Sequence, residues 1–241
     1  MVDSSAAKTG RLDTPRSSYD VAVDVRDAHL ERGTFSLRIG ELRIRRGECV
    51  ALIGPSGSGK TTLLEMIAGV LPSTSGELIV AGQPLSALSE SQRRRFRAGR
   101  IGMVFQEFEL LEYLHVRDNV LLPFRLQPGS PIAAANWRRA DDLLEAAGLG
   151  DKLLRPVRRL SQGERQRVAI CRAMVRVPEI VLADEPTGSL DPDNKQAMLQ
   201  WILETVRRED ATLVLATHDH ALLPQFDRVL EMASLAGSAE P

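Results

Sequence analysis

Residues 54–62 constrain the fold of this chain more strongly than any other part of the sequence. They contain the spacing G-x-x-x-x-G-K-[ST] and follow an apolar run, Cys49–Ile53, that is typical of a buried strand. The next residues, 63–68, have the composition of a helix. We therefore predict a strand, a phosphate-binding loop and a helix in succession. The residues of this loop are Gly54, Pro55, Ser56, Gly57, Ser58, Gly59, Lys60, Thr61 and Thr62.

The residue types in this loop match the chemistry of a bound nucleotide and Mg²⁺. Glycines allow consecutive backbone N–H groups to turn inward and form a concave site for phosphate oxygens. A helix that begins near Gly59 directs the positive end of its dipole at the same anion. Lys60 can reach the β- and γ-phosphates, and Thr61 offers a hydroxyl group to Mg²⁺. An ordinary glycine-rich turn is the alternative, but the flanking strand and helix favour nucleotide binding.

Composition narrows the class of protein further. Hydrophobic residues make up 43% of the 241 residues but aromatic residues only 4%, which suits an aliphatic α/β core. Lysine and arginine number 31 against 32 acidic residues, so no overall positive field favours nucleic acid. Without a C-x-x-C pair, Cys49 and Cys171 are expected to be buried rather than to bind zinc. The sequence shows neither a membrane span nor a signal peptide, so we expect a cytoplasmic protein.

Apolar strands alternate with helices along most of the chain, which predicts an α/β fold with a mainly parallel central sheet. Residues 21–27, 35–39 and 42–45 have the alternation of strands, and they predict a small antiparallel β layer in which the second and third strands are joined across Gly40 and Glu41. Helix-forming segments, one of them at residues 119–126, dominate residues 107–178 and predict a helical subdomain.

The predicted domain occupies residues 19–233, with a tail at each end. Residues 1–18 are polar and lack periodicity, so we expect a disordered tail there. Residues 234–241 are small and polar, and a flexible tail is expected.

Polar residues follow several of the predicted strands, at the place where parallel sheets bind their ligands. Besides the phosphate loop, these are Gln106, the pair Asp184 and Glu185, and His218. Asp184 is placed to join the Mg²⁺ shell, while Glu185 faces the opposite way and can activate water as a general base. A solvated loop is the alternative for two adjacent acids, but the preceding apolar run favours a catalytic role.

Ser161 and Glu164 form a capping-box pattern within Leu-Ser-Gln-Gly-Glu at residues 160–164. A serine N-cap with a glutamate three residues later marks the start of a helix. Taken alone, the motif indicates only a well-capped helix, and that alternative stays open.

The complete series of motifs resembles the nucleotide-binding subunits of ABC transporters over about residues 20–232. The series comprises, in order, the phosphate loop, Gln106, residues 160–169, residues 184–191 and His218. The resemblance implies a P-loop NTPase that binds and hydrolyses ATP with Mg²⁺.

The resemblance also implies roles for three residues whose type alone is uninformative. Gln106 resembles the Q-loop glutamine, which senses Mg²⁺ and contacts a membrane partner. His218 resembles the switch histidine that holds the γ-phosphate. Asp191 resembles the D-loop aspartate that communicates across a dimer.

Two departures from the family pattern concern the ATP-binding surface. The usual signature, Leu-Ser-Gly-Gly-Gln, presents Ser161, Gly163 and a helix N-terminus to the γ-phosphate held by the opposite subunit. Here Gln162 and Glu164 replace a glycine and a glutamine, which is expected to alter affinity or dimer lifetime without abolishing activity. Upstream of the phosphate loop, Phe35 is the available aromatic residue for stacking on adenine, with a place in the core as its alternative.

Residues 101–106, 119–124 and 181–191 look most like the macrolide-export, lipoprotein-release and cell-division group of the family. That resemblance implies a homodimer held peripherally at the cytoplasmic face of the cell membrane by integral membrane permease subunits. Residues 108–126 are the expected docking surface. The expected function is ATP-driven export, or extraction of lipoproteins or lipids. The alternative is a mechanotransmitting ATPase that regulates an extracytoplasmic cell-wall enzyme and moves no substrate.

ABC ATPases that act on DNA or ribosomes form a further alternative. A DNA-repair or chromosome-organising member would need a long coiled coil between Lys60 and Ser161, and this segment is too short. A translation-factor member would carry two such domains, so no nucleic-acid partner is expected.

Overall fold

The computed structural model describes residues 20–33, 35–126, 131–188 and 192–236. The strands are β1 Val21–Arg32, β2 Phe35–Arg45, β3 Cys49–Ile53, β4 Ser75–Val80, β5 Gln83–Pro84, β6 Ile101–Val104, β7 Ile180–Asp184, β8 Thr212–Ala216 and β9 Arg228–Glu231. The α-helices are α1 Lys60–Ile67, α2 Glu90–Arg100, α3 Val116–Val120, α4 Leu122–Arg125, α5 Ala134–Ala146, α6 Gln162–Met174, α7 Pro192–Arg208 and α8 Met232–Leu235. The tail predicted at residues 1–18 lies outside the described residues.

Two sheets organise the fold. A five-stranded sheet has the order β6-β7-β8-β3-β9, and its neighbouring strands are all parallel. A four-stranded sheet has the order β2-β1-β4-β5 and is antiparallel. The predicted α/β class, with a parallel central sheet and an antiparallel β layer, is therefore confirmed.

The central sheet is buried on both faces, because successive residues of a strand belong alternately to two core clusters. In β8, Leu213 and Leu215 join a core cluster with the helical residues of α3, α5, α6 and α7. The intervening Val214 and Ala216 join a second cluster with α1 and the antiparallel sheet. Successive side chains of a strand point to opposite faces, so an uninterrupted apolar run is what a strand covered on both sides requires.

Three segments differ from their predicted form. Residues 35–45 form one continuous strand, because β1 pairs with it on both sides of Gly40, as Ile39 opposite Ala28 and Leu42 opposite Val25. Residues 119–126 do not form a single helix, since the chain divides into α3 and α4, with Pro123 in the first turn of α4. Leu235 is buried in α8, so the chain remains packed just beyond residue 234, where the flexible tail was predicted to begin.

The carboxyl ends of four adjacent strands meet along one edge of the central sheet. In sheet order these strands are β6, β7, β8 and β3, and the predicted polar residues lie at their ends or just beyond them. Among the helices in the described ranges, none combines the length and the apolar character that a membrane span requires.

Candidate active site

The loop before α1 adopts a conformation that glycine makes possible. Gly57 and Gly59 have φ values of +79° and +93°, in the left-handed region that side chains disfavour. A Cβ atom on Gly59 would also lie 3.0 Å from Leu37 Cδ1. Helix α1 thus begins at Lys60, directly after the loop. Its first backbone N–H groups have no partner within the helix.

Lys60 is nearly buried and is held by the loop itself. Its Nζ donates to the carbonyl oxygens of Gly54, at 2.8 Å, and Pro55, at 3.1 Å. Ser58 Oγ is buried without a hydrogen-bond partner among the described residues, and a Cβ on Gly54 would come within 2.7 Å of it. Gly54, Pro55 and Ser58 therefore shape the loop and position Lys60, whereas other loop residues line the adjoining cavity.

A cavity of about 550 Å³ lies at the carboxyl edge of the central sheet. Its lining combines the end of the phosphate loop with the polar residues that follow β6, β7 and β8. The lining residues are Phe35, Ser56, Gly57, Gly59, Lys60, Thr61, Thr62, Gln106, Asp184, Glu185 and His218. Residues distant in sequence thus lie together at the carboxyl edge of the sheet, as predicted from their positions after the strands.

Thr61 and Asp184 supply the cavity with a pair of oxygen ligands. Thr61 Oγ1 donates to Asp184 Oδ2 at 2.6 Å, which joins the start of α1 to the end of β7. Mg²⁺ prefers oxygen ligands and is bound in nucleotide sites by one or two protein oxygens with the phosphates. The hydroxyl and carboxylate pair therefore fits this cation, and Gln106 adds an amide group to the same cavity lining.

Glu185 and His218 form the second polar pair of the cavity. Glu185 Oε2 lies 2.5 Å from His218 Nδ1, and the Glu185 side chain is only 16% exposed. Glu185 has φ +46°, and its N–H donates to the carbonyl of Ala216 at the end of β8. A carboxylate held in this way, beside a triphosphate site, can take a proton from water.

Hydrogen bonds stabilise the turn that carries His218. The N–H of Asp219 donates to Thr217 Oγ1 at 3.0 Å, and Lys195 Nζ donates to Asp219 Oδ2 at 3.0 Å. The bond from Lys195 lowers the pKa of the Asp219 carboxyl group. The turn is thus tied to α7 directly beside the histidine.

Phe35 begins β2 and lies on the cavity wall rather than in the core. Its side chain is 36% exposed, and Cζ would lie 3.5 Å from a Cβ on Gly59. The ring is therefore next to the phosphate loop, in a position where a planar base can stack on it.

The residues of the 160–164 motif lie elsewhere. Ser161, Gly163 and Glu164 do not line the cavity of their own subunit, and Asp191 lies outside the described residues. Ser161 caps α6: its Oγ accepts from the N–H of Glu164 at 3.3 Å, and Glu164 Oε2 accepts from the N–H of Ser161 at 2.8 Å. Lys152 Nζ also donates to Glu164 Oε1, at 2.6 Å. The capped helix is present, and its first residues lie outside the cavity lining.

Sequence reasoning missed Arg172, which connects α6 to the segment after Gln106. Its guanidinium donates to the carbonyl oxygens of Phe108, at 2.6 Å, and Glu109, at 2.5 Å. Both residues have positive φ values. Burial lowers the pKa of Arg172, which is 9% exposed. An arginine within an otherwise apolar stretch of α6 was the available signal, but its partners lie more than sixty residues away.

Comparison with known proteins agrees with this geometry. The ABC transporter family profile matches residues 37–188. The chain is 43% identical over 192 residues to the lipoprotein-releasing system ATP-binding protein LolD of Xylella fastidiosa (strain Temecula1 / ATCC 700964), covering 80% of this chain and 79% of that protein. It is 42% identical over 193 residues to the lipoprotein-releasing system ATP-binding protein LolD 1 of Caulobacter vibrioides, covering 80% and 82%.

Solved structures of similar fold include two ATP-binding cassettes. One is the dimeric post-hydrolysis state of the cassette MJ0796 bound to ADP and Pi, with a TM-score of 0.74, 31% identity, and coverage of 87% of this chain and 93% of that chain. The other is cbiO1 from Clostridium perfringens, part of the transporter complex cbiONQ, with a TM-score of 0.79, 28% identity, and coverage of 88% and 84%. The chain therefore belongs to the ABC transporter family, as an ATP-hydrolysing, nucleotide-binding subunit.

Proposed function

We propose that this subunit binds ATP with Mg²⁺ in the cavity at the carboxyl edge of the central sheet. The supporting observation is that Lys60, the Thr61–Asp184 pair and the Glu185–His218 pair converge on one cavity of about 550 Å³. Lys60 and the N-terminus of α1 bind the phosphates, and Phe35 stacks on adenine. Bound Mg²⁺ neutralises phosphate charge and would be held by Thr61, Asp184 and Gln106.

Glu185 is the proposed general base. It accepts a proton from the attacking water, while His218 holds the carboxylate and donates toward the γ-phosphate. The 2.5 Å contact between the two side chains orients Glu185. Gln106, which also lines the cavity, is proposed to transmit the state of the cavity to the helical subdomain.

ATP is proposed to join two copies of the chain. Ser161, Gly163 and the start of α6 lie outside the cavity of their own subunit. They can contact the γ-phosphate only from a second copy, where the helix N-terminus and the Ser161 hydroxyl face the anion. Glu164 holds the start of α6 through its capping bond with Ser161, and Asp191 is assigned to communication across the dimer.

A membrane permease is the proposed partner, and a surface groove beside the helical subdomain is its docking site. We call this the subdomain groove. It has a volume of about 530 Å³, and it is lined by Arg94, Arg97, Ala98, Ile101, Gly102, Met103, Phe105, Glu109, Leu122, Pro123, Leu126, Arg172, Ala173 and Arg176. Phe105 and Leu126 are 38% and 73% exposed there. These apolar side chains require a partner with an apolar face.

The charges of the subdomain groove indicate what else the partner carries. Arg97, Arg172 and Arg176 donate to backbone carbonyl oxygens, which leaves their charges without a carboxylate at those contacts. The lining contains four arginines and one glutamate, and of the arginines Arg94 is paired with Glu90 at 2.6 Å. We therefore propose an amphipathic cytoplasmic segment of the permease that bears acidic side chains. This contact would hold the subunit peripherally at the cytoplasmic face of the cell membrane.

The transported cargo is proposed to be lipoprotein, with release from the membrane as the driven step. The support is the 42–43% identity to proteins named as lipoprotein-releasing ATP-binding subunits. The same similarity disfavours the alternative of an ATPase that only regulates a cell-wall enzyme.

Reconstitution tests this proposal. The chain and the permease encoded with it would be placed in vesicles that contain a lipid-modified protein, and ATP-dependent release would be measured. Glu185→Gln is the matched inactive control. Release that does not depend on ATP, or ATP turnover without release, would refute the assignment of cargo.

Crosslinking tests the docking site separately. The native cysteines, Cys49 and Cys171, are buried, so a cysteine introduced at Leu126 can be labelled selectively. A cysteine at the exposed Arg208, on α7, is the control. Capture of the permease from position 126 but not from 208 is the expected result, and the reverse pattern would exclude the subdomain groove.

A further inference from the structure

The carboxylate of Glu164 is compensated by a cation that no motif includes. Lys152 lies in the turn Gly150–Lys152, which precedes α6 by ten residues, and its Nζ donates to Glu164 Oε1 at 2.6 Å. Both side chains are mostly enclosed, with 21% and 16% exposure. The bond to Lys152 is the main reason why the pKa of Glu164 is lowered.

The neutralisation of Glu164 by Lys152 matters because Glu164 lies at the N-terminus of α6. Glu164 occupies the third position of α6, inside the helical turn whose free N–H groups form the positive end of the helix. A carboxylate in the first turn stabilises the helix, but it also cancels the positive potential that would attract an anion from outside. A cation at Lys152 removes this cost while the capping bond from Ser161 stays intact.

We propose that Lys152 is a positioning residue for ATP-dependent dimerisation. It neutralises Glu164 and so preserves the positive N-terminus of α6 for the triphosphate held by a second copy of this chain. This inference rests on the proposed contact of Ser161 with ATP in the opposite subunit. It also accounts for the replacement of the usual signature amide by a carboxylate, because Lys152 and Glu164 together carry no net charge.

Other charges near the start of α6 do not replace Lys152 at Glu164. Arg165 is paired with Glu112 at 3.2 Å and donates to the carbonyl of Arg158. Arg158 is exposed and precedes the signature. These arginines are retained in every variant below, so the comparison isolates the charges at 152 and 164.

The test uses the full chain carrying Glu185→Gln, in which slow hydrolysis allows the ATP-bound dimer to accumulate. Sedimentation with ATP and Mg²⁺ over a range of protein concentrations gives the dimer dissociation constant. Lys152→Met is expected to raise this constant by about tenfold or more, since Glu164 stays ionised near neutral pH and repels the triphosphate. Adding Glu164→Gln to Lys152→Met should restore dimerisation to near the parent value.

Three further measurements separate charge from structural damage. ATP affinity of the monomer should be unchanged in Lys152→Met, because Lys152 does not line the cavity. Lys152→Arg should behave as the parent. The deficit of Lys152→Met should shrink at about 1 M salt, where the Debye length falls to about 3 Å. A deficit that arose from a misfolded signature would be neither rescued by Glu164→Gln nor screened by salt.

Arg139→Met provides a matched control. Arg139 pairs with Glu209 at 3.0 Å, and Glu209 has the same 16% exposure as Glu164. Arg139 also donates to the carbonyl oxygens of Met174 and Val175, so its loss affects the C-terminal end of α6 but not the charges at the start of this helix. This variant should dimerise normally.

The outcomes that overturn the inference are distinct from failure of the proposed function. Lys152 has no such role if Lys152→Met has the dimer dissociation constant of the parent, or if the double variant dimerises as weakly as Lys152→Met. Either result would leave the proposed ATP-dependent dimer unaffected. If the parent binds ATP but never dimerises, the proposed dimer fails and the inference fails with it.

Discussion

His218 Nδ1 lies 2.5 Å from Glu185 Oε2, so the two side chains that follow adjacent strands β8 and β7 are in direct contact. The pair is held from the backbone as well, because the N–H of Glu185 donates to the carbonyl of Ala216, two residues before His218. The orientation of the carboxylate is thus set by the sheet and by the histidine together.

Glu185→Gln is expected to reduce ATP turnover by about 10²–10⁴-fold, the usual contribution of a positioned general base. The amide retains the size of the side chain but cannot accept a proton from water. ATP binding should persist, since Lys60 and Thr61 are unchanged. Turnover of the subunit in complex with its permease is the measurement, and near-normal turnover would exclude Glu185 as the base.

Lys60→Ala is expected to weaken ATP binding by about tenfold to a hundredfold, the equivalent of losing a charged hydrogen bond of about 1.5–3 kcal/mol. The change also removes the two bonds from Nζ to Gly54 and Pro55. Titration with a fluorescent ATP analogue checks affinity, and thermal unfolding checks that the loop has not destabilised the domain. Unchanged affinity would contradict the phosphate-loop assignment.

Phe35→Leu is expected to weaken ATP binding by about 1–3 kcal/mol, the range found for bases stacked on aromatic side chains. Leucine retains an apolar surface beside Gly59 but provides no flat ring. Phe35→Tyr is the control and should bind ATP as the parent does. Tripolyphosphate, which lacks a base, is a second control and should bind both variants equally well.

Ser161→Arg is expected to leave ATP affinity of the monomer intact and to abolish ATP-dependent dimerisation. The substitution adds bulk and removes the hydroxyl at the start of α6, outside the cavity of its own subunit. Sedimentation in the Glu185→Gln background and turnover in the permease complex both measure the effect. If turnover in the complex is unaffected, residues 160–164 are only a well-capped helix start.

The Glu164 carboxyl group should contribute stability that depends on pH. Its pKa is lowered in the folded chain, chiefly by Lys152, from an ordinary value of 4.5. A group with a lowered pKa stabilises the fold above its unfolded value and loses that contribution as pH falls through its folded value. The difference in unfolding free energy between the native chain and Glu164→Gln should therefore be constant near neutral pH and shrink below about pH 4.5. Denaturant unfolding over this range is the measurement, and a difference independent of pH would contradict the ion pair.

Much of the fold was predictable because its signals are local. The apolar runs of β3, β7 and β8 predicted buried strands, and the glycine spacing before Lys60 predicted the phosphate loop. The polar residues that follow these strands were predicted to share one edge, and Gln106, Asp184, Glu185 and His218 do line one cavity. Parallel strands bring their carboxyl ends to the same edge, so chain order was enough for this step.

Local patterns were wrong, or left alternatives open, where a distant partner decides the conformation. Gly40 and Glu41 were predicted to join two separate strands, yet β1 pairs with residues on both sides and keeps β2 continuous. Phe35 was compatible with the core or with stacking until the structure placed it beside Gly59 at the cavity wall.

The sequence alone determined the class of fold, the phosphate loop and the identity of the acids that follow β7, because periodicity and short motifs depend on neighbouring residues. Only the tertiary structure decided which groups come into contact. These are Lys152 with Glu164, Arg172 with the backbone carbonyls of Phe108 and Glu109, and His218 with Glu185. Each of these contacts joins residues from different elements. Their geometry is set by how the sheet and the helical subdomain pack, which no local pattern encodes.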